Sequence, residues 1–156
     1  MNLKEWLTLV GKNYDTPEII AVRKAYGLTG RGPRLASGFG SEAIPAAGIT
    51  LMLDKVNLIG APNKKVYGLT FYGRPHADGV QYTAALPHAL KWDEDQAAVR
   101  ARLGKPVRTA QLANSDGYTF DDYDLSVDYE PDGSRIRAVQ LRLSKHGGSA
   151  LGADAG

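Results

Sequence analysis

Tyr123-Asp124-Leu125-Ser126-Val127-Asp128-Tyr129-Glu130-Pro131-Asp132-Gly133-Ser134 alternates apolar and polar residues and then ends in a tight-turn sequence. A strand repeats its side-chain direction every two residues, so Tyr123, Leu125, Val127 and Tyr129 face one way. Asp122, Asp124, Asp128 and Glu130 then face the other, with Ser126 between them. In the turn, Pro131 sets φ and Gly133 accepts a positive φ, so the chain reverses into a return strand through Val139, Leu141 and Leu143. A hairpin with one apolar face needs a cover.

Upstream, Trp92-Asp93-Glu94-Asp95-Gln96 predicts a helix start with capping-box spacing from Asp93 to Gln96, and Gly104-Lys105-Pro106 predicts its end. The acids of its first turn are read as caps that complement the helix dipole, in preference to a hydrolytic or metal cluster. An earlier helix opens at Asp15-Thr16-Pro17-Glu18 and should run to about Tyr26 before Gly27. A shorter amphipathic one carries Leu3, Trp6, Leu7 and Val10 and stops at Gly11.

The two longer helices align. Ala21-Val22-Arg23 with Tyr26-Gly27 matches Ala98-Val99-Arg100 with Leu103-Gly104 at a constant offset of 77. Ile49, Leu51 and Leu53 before Asp54 match Leu125, Val127 and Tyr129 before Glu130 at an offset of 76. Tyr67, Leu69 and Phe71 are matched to Val139, Leu141 and Leu143 on the return strands. Further strands are expected at Tyr118-Thr119-Phe120 and, less clearly, between Phe39 and Ile44. The expectation is an α+β fold in which two repeated helix-plus-antiparallel-hairpin units, residues 1–73 and 91–144, form one sheet with the helices on one face. They make a single domain, 1–146. The linker 74–90 should cross the surface, and the small-residue stretch 147–156 should be a flexible tail.

The 156-residue chain is 43% hydrophobic and 23% charged, which suits one sizeable core. It has no cysteine, excluding disulfides, thiolate zinc sites and a cysteine nucleophile. The N-terminal apolar stretch is broken by Lys4 and Glu5, unlike a secretory leader, and no run reaches the roughly 20 apolar residues of a membrane span. A cytoplasmic location without membrane contact is therefore expected. His76, His88 and His146 form no helical pair, so neither a metal nor another cofactor is expected. The glycine-rich stretch from Gly27 to Ser41 lacks the phosphate-loop pattern and follows a helix, and no serine-hydrolase elbow is present.

The net charge is +2, yet residues 116–132 hold seven acids and no Lys or Arg. A basic body carrying one acidic segment does not match the continuous positive surface of a nucleic-acid binder. The candidate partner-binding residues are Asp116, Tyr118, Asp121, Asp122, Tyr123, Asp124, Asp128 and Glu130, acids for steering and tyrosines for anchoring. Cross-strand pairing with Arg135, Arg137 and Arg142 is the competing account of the same acids.

The string Ala98-Val99-Arg100-Ala101-Arg102-Leu103-Gly104-Lys105-Pro106, continued by Tyr123-Asp124 through Pro131-Asp132-Gly133 to Val139-Gln140-Leu141, resembles the tandem helix-and-sheet units of β-lactamase-inhibitor-protein-like domains. From Asp15 to Leu143 the layout is also similar to that of small bacterial immunity proteins, as is the segment from Gly79-Val80-Gln81-Tyr82 to Leu86-Pro87. The resemblance implies a non-enzymatic inhibitor that binds a cognate toxin stoichiometrically, a nuclease or another cytoplasmic effector. With neither leader nor cysteines, it departs from the secreted inhibitors and points to an intracellular immunity role. A regulatory adaptor, or a small enzyme using the Arg31–Glu42 loop or the Asp93–Asp95 cluster, are the alternatives.

Overall fold

The structure is a computed structural model that describes residues 1–29, 34–36, 39–54, 65–74 and 79–144. His76, His146, the stretch 30–33 and the tail 147–156 lie outside the described residues, as do the expectations attached to them. The fold is α+β. Among the described residues three α-helices, α1 (Leu3–Leu7), α2 (Pro17–Ala25) and α3 (Gln96–Leu103), accompany eight strands: β1 (Arg34–Ala36), β2 (Phe39–Ile44), β3 (Ile49–Leu53), β4 (Val66–Tyr72), β5 (Arg108–Ala110), β6 (Ser115–Thr119), β7 (Tyr123–Tyr129) and β8 (Ile136–Leu143). No helix among the described residues is long and apolar enough to cross a membrane.

The strands form one antiparallel sheet in the order β1-β2-β3-β4-β8-β7-β6-β5. Two four-stranded meanders thus meet where β4 pairs with β8, from Gly68 opposite Arg142 to Tyr72 opposite Ala138. The expected β7–β8 hairpin forms around Gly133, whose φ is +73° and whose N–H donates to the Glu130 carbonyl. β7 alternates buried and half-buried side chains along its whole length, as the sequence pattern requires.

Two boundary expectations shift. The α3 cap is Asp95, which accepts from the Ala98 N–H, so the helix starts three residues after Asp93. Ile49 stands opposite Phe71 and Leu125 opposite Leu141, so the positional counterpart of Phe71 is Leu141 and not Leu143. The cause is the connection: the β3–β4 loop is longer than the Pro131–Arg135 turn, and each hairpin carries an irregularity, at Met52/Leu53 and at Asp128/Tyr129.

Both longer helices lie on the same side of the sheet. Arg23 of α2 reaches Glu42 of β2 at 2.7 Å, and Arg100 of α3 grips Asp116 of β6 through two bonds of 2.7 and 2.8 Å. Each acid is buried, and each sits in register with a fully buried residue of the next strand, Leu51 for Glu42 and Val127 for Asp116. The arginines follow Val22 and Val99, the buried valines of their helices. The same device therefore clamps each helix to its meander. Tyr14 adds a hydrogen bond to Glu42, and Gln96 one to Asp116.

The linker does more than cross the surface. Tyr82, Leu86, Pro87 and Leu90 are buried, the Tyr82 ring packs on Phe71 at 4.8 Å, and the Trp92 indole donates to the Tyr82 carbonyl. Sequence polarity hid this because the apolar residues of the segment are spaced irregularly by prolines and follow neither helix nor strand period. Removing one partner of a buried ion pair strands the other. Here only Asp116 is fully buried, Arg100 being 44% exposed, so Arg100→Leu should lower unfolding free energy by roughly 1–3 kcal/mol, and adding Asp116→Leu should recover most of it; chemical denaturation of the two variants measures both.

Candidate functional site

Among the described residues, one face of the sheet is covered by helices and linker, and the other is not. Along the uncovered face three rows of side chains run across the strands. The central row is small and polar, passing from Gly117 through Ser126, Gln140 and Thr70 to Thr50. One flanking row runs Ser115, Asp128, Ala138, Tyr72, and the other Asp124, Arg142, Gly68, Met52. Gly117 leaves space for an arginine, since a Cβ there would sit 3.2 Å from the Arg108 Nε, whereas a Cβ on Gly68 would sit 2.6 Å from the Leu141 carbonyl oxygen and 3.0 Å from the Arg142 Cγ. Arg108 lies across Gly117 and reaches Asp124 at 3.5 Å.

The candidate residues divide between the two faces. Asp116 is fully buried under α3, so it is a structural anchor and no contact surface. Tyr118 and Tyr123, each 4% exposed, also point into the core. These three are corrections, and their cause is one rule: residues two apart on a strand share a face, and the face of Leu125 and Val127 is the covered one. Asp124, Asp128 and Glu130 do lie on or beside the uncovered face. Asp121 and Asp122 occupy the β6–β7 turn, the first exposed and the second half-buried.

The acids of β7 do not make a negative surface. Glu130 faces Arg74 at 3.0 Å and Arg135 at 3.8 Å, Asp124 has Arg108 beside it and Arg142 opposite, and Arg137 acts on Asp128. Five arginines thus accompany three carboxylates. Arginine pairing thus accounts for Asp124 and Glu130, and these two acids add no free negative charge to the steering surface expected from residues 116–132.

Asp128 differs from its neighbours. Among the described residues it makes no ion pair within 4.0 Å, and Ser115, opposite it on β6, and Ser126, two residues before it, flank it on the same face. Burial pushes its carboxyl above the usual range, against the weaker opposing pull of Arg137 and the serines. It lines a hollow of about 420 Å³ at the middle of the sheet, together with Thr70, Tyr72, Arg74, Arg137, Ala138 and Gln140. The sequence reading missed this hollow. Its walls come from β4, β7 and β8, and no local spacing links Tyr72 to Asp128.

Three carboxylates of the rival enzyme reading, Asp93 not among them, have partners. Glu42 holds Arg23, Asp95 caps α3, and Glu94 binds both Arg102 and the Lys91 N–H. No group of three or more His, Asp or Glu able to hold a metal occurs among the described residues.

A second unforeseen cluster lies at the linker. His88 and Ala89 both adopt positive φ, 56° and 52°, a costly conformation for side-chain-bearing residues. The His88 ring stacks on Phe120 at 4.5 Å and its Nε2 meets the Tyr123 hydroxyl at 2.6 Å, while Arg102 donates to the Ala89 carbonyl. Burial, aided by Arg102, holds the His88 pKa below its ordinary value. The unfolded chain therefore binds this proton first as pH falls, so stability should be full above about pH 6.5 and decline below it. Denaturation midpoints between pH 7.5 and 5 should show that decline, and His88→Gln should flatten it. No family model matches this chain, and no curated protein or solved structure matches it either.

Proposed function

We propose that the chain is a non-catalytic inhibitor of the immunity type, which docks a cognate toxic domain against the uncovered face of its sheet. The observation that supports this reading is that, among the described residues, the helices and linker cover an eight-stranded sheet on one side. Seven strand spacings of about 4.8 Å make that face roughly 34 Å wide, on the scale of a standard protein–protein interface. It is a broad, polar surface with Tyr72, Met52 and arginines set around a small-residue centre, a composition suited to a wet protein contact.

We also read the two meanders as copies of one unit. The paired Arg23/Glu42 and Arg100/Asp116 clamps support this, as do the irregularities at matching places in both hairpins. Between the halves the covered face repeats its chemistry, but the uncovered face does not. Met52 precedes the irregularity of β3 where Asp128 precedes that of β7. A duplicated scaffold that diverged on one face fits a partner that is itself asymmetric. With arginines outnumbering acids there, docking rests on shape and hydrogen bonds more than on negative steering.

The experiment is capture from native lysate followed by co-expression with the captured protein's toxic domain. Rescue in a one-to-one complex is expected. Gln140→Trp, at the centre of the uncovered face, should weaken the complex by at least about 100-fold, a loss of about 2.7 kcal/mol, and Ile20→Ser on the outside of α2 should leave it unchanged. An absence of rescue, with only housekeeping partners captured, would turn the reading to a regulatory adaptor.

A further inference from the structure

The hollow at the centre of the uncovered face contains two charged side chains of opposite sign that do not pair. Asp128 and Arg137 both line it, and among the described residues neither makes an ion pair within 4.0 Å. The other charged group, Arg74, is held by Glu130. A carboxylate and a guanidinium facing one cavity are ill suited to a lone cation, which meets Arg137, and to a lone anion, which meets Asp128. They complement a group that carries both charges a short distance apart.

The rest of the lining is neutral and suits such a ligand. Ala138 and Thr70 are buried and form the floor, Gln140 offers an amide, and the Tyr72 ring makes an apolar wall. Ser115 and Ser126 flank the Asp128 carboxylate, whose two oxygens have acceptor capacity for a ligand. At about 420 Å³ the hollow is within the range of small-ligand sites.

We propose that this hollow binds a zwitterionic α-amino acid, its ammonium on Asp128, its carboxylate on Arg137 and its side chain against Tyr72. This goes beyond the docking of a protein partner and does not rest on it: the ligand binds the isolated chain. It would sit where a docked partner would have to cover or displace it.

The test uses the full chain and three matched probes, followed through backbone amide chemical shifts. L-leucine carries both charges, L-leucinamide only the cation and N-acetyl-L-leucine only the anion. Leucine should shift the amides of Ser126, Ala138 and Gln140 and bind at least about tenfold more tightly than either analogue. Asp128→Asn and Arg137→Gln should each weaken leucine by about tenfold or more while preserving the spectrum elsewhere, and Asp124→Asn should change it less than about twofold. Equal binding of leucinamide would make the hollow a seat for a basic side chain and overturn the proposal. Equal binding of N-acetyl-leucine, or the absence of shifts with all three, would overturn it as well. A failed toxin rescue leaves these results untouched, so the two readings fail separately.

Discussion

The pairing of β4 with β8 is the constraint on which the rest of the molecule depends. It joins the last strand of each meander along five residue pairs, from Gly68/Arg142 to Tyr72/Ala138. Without it each meander would have an open edge and a small core of its own. With it, Leu69, Phe71, Val139 and Leu141 become the fully buried centre of one continuous layer. The linker is drawn in because a sheet this wide exposes apolar surface that α1, α2 and α3 alone do not cover, and Tyr82, Leu86 and Leu90 fill that part of the layer.

The same pairing decides the electrostatics of the far side. β8 brings Arg137 and Arg142 between the acids of β7 and the polar residues of β4. Four of the acids that look alike in sequence then serve three ends. Asp116 clamps a helix, Asp124 and Glu130 settle against arginines, and Asp128 keeps a carboxylate that burial opposes. A charged group retained at a cost to stability, beside an arginine that makes no ion pair within 4.0 Å among the described residues, is a better guide to a site than the density of acids along the chain.

Much of the fold could be read from periodicity. The β7 alternation, the Gly133 turn, the α2 and α3 segments and their matched arginines all depend on residues within one turn or one strand of each other. The short edge strands β1 and β5 escaped because three residues carry too little pattern, and the return-strand alignment slipped because loop length does not announce itself in side-chain period. Of the candidate site, the outward acids of β7 and the inward side of Tyr123 were legible as faces, whereas the inward turn of Asp116 and Tyr118 was not, since an acid on a short strand looks like surface until a helix arginine is placed over it.

By itself, then, the sequence determined the α+β class, the helix and strand faces and the turn chemistry, because each of these follows from the φ preferences and side-chain period of neighbouring residues. The tertiary structure alone decided which face is covered, which acids are neutralised and where a hollow opens. Those properties arise from groups such as Tyr72, Asp128 and Arg137, or Arg100 and Asp116, that come within Coulomb and van der Waals range only when β4 lies against β8 and α3 lies on the sheet.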